Sequence, residues 1–132
     1  MKLWISGEID SIVSDSFRVV RNDIEQSVNN ILASNSYGDG ILNWDVIVVI
    51  SQDKGKEVFK YNKRNKETDV HVILDLDRFK TSNSLEKKML LLDSLIYCTE
   101  KLSALGIHNF DSVKLKNDLD ELKKIIFNQY AG

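Results

Sequence analysis

The sequence predicts an α+β fold of two layers, a four-stranded, largely antiparallel sheet packed by three helices in the order β-α-β-β-β-α-α. Three observations predict it. Val46-Ile47-Val48-Val49-Ile50 is a run of five β-branched residues, and residues 68–76 alternate with a period of two. Residues 17–32 and 85–126 repeat apolar side chains at spacings of three and four, the mark of amphipathic helices. A one-faced sheet and one-striped helices bury their apolar sides by packing on each other.

The elements follow in order. Lys2 to Gly7 reads as a first strand, with Leu3 and Ile5 on one face and Trp4 and Ser6 on the other. A helix is expected to start at Ser14 or Asp15, either of which can accept a bond from a free N–H of the first turn. Phe17, Val20, Ile24, Val28, Ile31 and Leu32 make its apolar stripe. Ser34 to Gly40 has the turn chemistry of a loop. The β-branched run makes Trp44 to Ser51 a strand that is central or covered on both faces. Residues 57–62 and 68–76 are two further strands around the polar turn Asn62-Lys63-Arg64-Asn65, with Lys54-Gly55-Lys56 as a hairpin turn before them.

In the last strand Val70, Val72, Leu74 and Leu76 point one way, and His71, Ile73 and Asp75 the other. Asn83 and Glu86 form a variant capping box at the head of a second helix, whose buried stripe is Leu85, Met89, Leu92, Leu95, Ile96 and Leu102. Gly106 suits a left-handed cap after that helix. Asp111 starts the third helix between Phe110 and Leu115, with Val113, Leu119, Leu122 and Ile126 on its apolar face. All 132 residues, 1–132, read as one domain, a length at which roughly two-thirds of the unfolded surface leaves water.

Charge narrows the partners. The net charge is −2, so nothing global demands nucleic acid or an anionic membrane. Residues 53–67 nevertheless carry six bases against three acids, and residues 1–45 seven acids against three bases. The chain thus has an acidic front and a basic middle. One cysteine, Cys98, allows no internal disulfide and fits a reducing compartment. With no long apolar segment and no signal-peptide pattern at the start, the expected location is cytoplasmic.

No catalytic constellation emerges, and the chain is not expected to be an enzyme. Cys98 sits in an apolar stripe and reads as a small hydrophobe. His71 is a sheet-face residue and His108 a loop residue, with no second ligand at zinc spacing, so neither metal nor cofactor is expected. Asp75-Leu76-Asp77 could offer oxygens to a cation, but Asp77 is the natural start of the turn at Arg78-Phe79-Lys80. An enzyme built on His71 and Asp75 would need a pocket around them. The hairpin 54–66, with Phe59 and Tyr61 among its lysines, is the feature that would suit nucleic acid. The same lysines also suit a solvated edge that resists pairing with other chains. Trp4, Tyr61, His71 and Ile73 could share the second face of the sheet, with Ile47 or Val49 between them. That face is either an aromatic-rich interaction surface or is covered by one of the helices.

Leu3-Trp4-Ile5-Ser6-Gly7-Glu8, then Ser16-Phe17-Arg18, Arg21-Asn22, Tyr37-Gly38 and Trp44, run in an order that resembles the immunity protein 44 family of bacterial polymorphic-toxin systems. Leu74-Asp75-Leu76-Asp77 and Phe79 extend the likeness across most of the chain. The resemblance implies a cytoplasmic inhibitor that forms a 1:1 complex with the C-terminal domain of a cognate toxin encoded by the adjacent gene, as in contact-dependent growth inhibition. It carries over no catalytic residue and does not fix the toxin's activity. If the toxin is a nuclease, its cleft is basic, and Glu8, Asp10, Asp15 and Asp39 are the acids expected to meet it. Trp4 or Tyr37 is the expected aromatic anchor, with Tyr61 and His71 as further contacts. The competing reading is a small nucleic-acid-binding module that uses the basic hairpin.

Overall fold

A computed structural model describes residues 1–52 and 55–131. The elements are β1 (Lys2–Ile9), a 3₁₀ turn (Ser11–Val13), α1 (Ser14–Ser34), β2 (Asn43–Ser51), β3 (Val58–Asn62) and β4 (Glu67–Asp75). Three helices follow: α2 (Leu76–Thr81), α3 (Ser84–Ser103) and α4 (Ser112–Ala131). The α+β architecture with four strands is as expected. Two features differ: the sheet is mostly parallel, and there are four helices where three were expected.

The strand order is β1-β2-β4-β3, with β1 parallel to β2, β2 parallel to β4, and only β3 antiparallel to β4. The first parallel pair follows from α1, because a helical crossover returns the chain to the same end of the sheet. The second arises because the chain passes from β2 to the outer edge, forms β3 there, and turns back into the gap. Burial matches the slot each strand takes. In β4 Thr68, Val70, Val72 and Leu74 are all buried, whereas Val58, Phe59 and Tyr61 of β3 are only partly so. The β-branched β2 is central, as its composition predicts. The expected turn Lys54-Gly55-Lys56 begins outside the described residues.

Local chemistry sets the element ends. The 3₁₀ turn is capped by Asp10, whose carboxylate accepts from the Ile12 N–H, so α1 continues from that turn with no side-chain cap of its own. The expected caps Ser14 and Asp15 therefore lie inside the helix. Asp75, not Asp77, caps the extra helix α2 by accepting from the Arg78 N–H at 2.8 Å, and Leu76 is already helical there. The Asn83–Glu86 capping box is complete. Gly106 takes a left-handed φ of 66°, two residues beyond the Ala104 cap. Asp111 accepts from the Lys114 N–H at the head of α4.

The core lies between the helices and one face of the sheet. Leu3, Trp44, Val46, Ile50, Val70 and Val72 point into it from the strands, and Ile24, Phe79, Leu95, Leu115 and Leu119 from the helices. Val113 is exposed rather than part of the α4 stripe, which Leu115 opens instead. One loop is tied tightly to the helical layer. Tyr37 is buried and donates to the Asp118 carboxylate at 2.6 Å, while the Asp111 N–H donates to the Tyr37 carbonyl. Gly38 has a φ of 86°, and a Cβ there would run into the Asn109 carbonyl, so this loop needs glycine on both counts.

The exposed edge of β1 is occupied by its own crossover helix. Asn29 accepts from the Leu3 N–H at 2.8 Å and donates to the Leu3 carbonyl at 2.9 Å, while Glu25 accepts from the Ile5 N–H at 2.7 Å. Two side chains of α1 thus stand in for a neighbouring strand.

Candidate functional site

The alternation of strand side chains assigns each residue to one of two faces. Helices cover the face of Leu3, Trp44, Val46 and Val70. The opposite face carries Trp4, Ser6 and Glu8 from β1, Asp45, Ile47 and Val49 from β2, and Asp69, His71 and Ile73 from β4. Lys60 and Val58 complete it from β3. No helix covers it. Trp4 is 47% exposed, Ile47, His71 and Ile73 are half-buried, and Glu8 and Asp69 are exposed. Val49 alone is buried, with Gly55 lying against it where the chain leaves for β3.

This face has a cluster of acids at one end and an apolar stretch edged by Glu8 at the other. Trp4 is held by the Lys2 ammonium 4.1 Å from its ring centre and donates through Nε1 to Asn43 at 3.3 Å. Asp45 stands directly opposite Asp69, with Glu67 one register step beyond Asp69's neighbour. Burial, then Glu67, then Asp69, push the Asp45 carboxyl above the ordinary carboxylate range. Like charges facing each other across strands destabilise a sheet. Further along, Ile47, Ile73 and Val58 surround His71, whose Nε2 lies 3.3 Å from Asp69. Asp45 and Asp69 were not among the residues singled out from sequence; their parity, opposite to Val46 and Val70, was the available signal.

The structure separates the residues expected to act together. Glu8, Asp10 and Asp15 gather where β1 ends, and Asp15 pairs with Arg18 at 3.1 Å. Asp39 lies at the other end of the sheet, in the loop that leads into β2. There the Asn109 amide, and second the Lys66 ammonium 3.9 Å away, hold its carboxyl below the usual range. Trp4 and His71 do share the uncovered face. Tyr37 does not, since it is a core residue whose phenol is pushed well up by burial and then by Asp118. Tyr61 sits opposite Thr68 on the helix side and donates to the Gly40 carbonyl at 2.5 Å. Both rings support the loop 35–42.

Other chemistry is dispersed. Cys98 is fully buried in α3, and burial drives its thiol well above its ordinary pKa, which suits packing and not nucleophilic attack. His71 and Asp75 are four residues apart on one strand, roughly 13 Å by strand rise, and the Asp75 carboxylate is engaged as a cap. Among the described residues no three His, Cys, Asp or Glu side chains stand where they could hold a metal ion. A depression at the ends of β2 and β4 is lined by Ser51, Gln52, Glu57 and Asp75, with Ile73 at its wall. In the basic hairpin Phe59 packs edge-on against Tyr97 and Tyr61 faces the helices, so the ribbon shows lysines without rings on which bases could stack. No described helix is long and apolar enough to cross a membrane.

The family model described as Immunity protein 44 matches residues 1–125, from β1 into α4. No curated protein and no solved structure matches the chain. The chain belongs to the immunity protein 44 family and is therefore an immunity protein of a toxin–immunity system.

Proposed function

We propose that this member of the immunity protein 44 family is a stoichiometric inhibitor that acts by binding, without catalysis. It forms a 1:1 complex with the C-terminal domain of a toxin encoded by the adjacent gene. It does so as a single domain over residues 1–132 in the cytoplasm of the producing cell, and delivery by contact-dependent growth inhibition suits this role. The observation that carries the reading is the family match across residues 1–125, which takes in every strand of the sheet. Trp4, Glu8, Asp10, Asp15, Asp39 and His71 are the contact residues we favour. A nuclease is the toxin activity that best fits the acids among them, because a cleft that holds nucleic acid is basic.

A protection assay tests this. The toxin domain is induced in a heterologous cell with or without this chain, and the two are co-purified. Growth rescue together with a 1:1 complex is the expected result. Arrest despite abundant soluble inhibitor would sink the proposal.

A further inference from the structure

We propose that the uncovered face of the sheet is the docking surface and that its occupant is a basic surface of the toxin domain. This rests on the immunity reading and adds to it the face and the chemistry of the partner.

Charge complementarity selects the occupant. Glu8, Asp45, Glu67 and Asp69 stand on this face against Lys2 and Lys60, with Lys63 at the rim of the depression that Asp45, Glu67 and Asp69 line. Lys2 is drawn onto the Trp4 ring, and Lys60 is opposite Asp69, which leaves Asp45 with no ion pair among the described residues. Covering ionised carboxylates with a neutral surface strips their water without return. A surface of lysines and arginines replaces that water with charge-assisted bonds. Between the acids lie Trp4, Ile47 and Ile73, partly exposed apolar groups that a partner can desolvate. An exposed tryptophan beside carboxylates is the composition of an interface anchor with a polar surround. The repulsion between Asp45 and its acidic neighbours disfavours the free protein and is relieved by a cationic partner.

The test measures association of the chain with the toxin domain at several salt concentrations. The variants are Asp45→Asn, Trp4→Ala and the pair Asp45→Lys with Asp69→Lys. The control pair, Asp93→Lys with Glu121→Lys, makes the same charge change on α3 and α4. The double lysine variant is expected to associate at least tenfold more slowly with a flattened salt dependence, Trp4→Ala to dissociate at least tenfold faster, and the control to stay within twofold. Asp45→Asn is expected to slow association while raising the thermal midpoint at neutral pH. The sign follows from a folded pKa above the unfolded one. Both states are protonated well below the ordinary carboxylate range, so the penalty is absent there and is complete only above the folded pKa. The stability gain therefore fades as pH falls, and a merely structural aspartate would not couple that gain to slower binding. Sheet variants that bind like wild type, or a control that falls as far as they do, would overturn the docking face alone. Failure of the wild-type chain to bind the toxin domain would overturn the immunity reading and this inference with it.

Discussion

At the scale of single residues, buried polar atoms reveal where this fold is under-satisfied. Thr68 is 1% exposed, and its hydroxyl finds no partner, beside Trp44 whose indole N–H also has none. An unmade buried bond costs more than an apolar group of the same shape. Thr68→Val is expected to raise stability by about 1 kcal/mol, a midpoint gain of a few degrees in a thermal melt. An unchanged or lower midpoint would show that the hydroxyl is bonded in solution. Periodicity places Thr68 with Val70 and Val72 but is blind to whether a hydroxyl finds a partner. The same limit hid the role of Tyr61. A period of two says which residues share a face, and the register decides which face that is; one step reverses every side chain.

At the scale of elements, β1 shows how an edge is closed without another strand. Unpaired edge groups invite pairing with other chains. Asn29 satisfies both Leu3 backbone groups, so Asn29→Ala is expected to cost roughly 1–3 kcal/mol and to promote self-association. Chemical denaturation and sedimentation read the two effects. A variant as stable and as monomeric as wild type would remove Asn29 from this role. Such contacts join residues 26 apart and leave no mark in a local pattern. What was legible was local: the central β2 from its β-branched run, the Asn83–Glu86 box from its spacing, and the loop at Gly38 from its turn residues. Strand pairing was not, because a period of two marks the faces of each strand but not its neighbours, and residues 57–62 and 68–76 around a polar turn read as a plain hairpin.

At the scale of the whole molecule, the helical layer and the sheet share one continuous core with Cys98 inside it. A thiol reagent can reach that residue only when α3 leaves the sheet. In native buffer Cys98 is expected to resist labelling over hours and to react at once in denaturant, with the native rate reporting how often the layers part. Rapid labelling of the folded protein would mean that α3 opens by itself. The separation of acids between the two ends of the sheet, Asp39 at one and Glu8 with Asp10 at the other, also belongs to this scale. Read from sequence, they stand together against one basic cleft; parallel pairing of β1 with β2 sets them a strand's length apart.

The bare sheet face also has a size. Four strands at about 4.8 Å spacing, averaging roughly 26 Å in length, offer a footprint on the order of 500 Å². A stable complex covers about 800 Å² on each side. A toxin seated on this plane therefore takes up nearly all of it and reaches a rim, the Asp10 turn or the Asp39 loop. Which rim it grips fixes the direction in which it lies across the strands, so the outline of the platform decides the partner's orientation as well as its place.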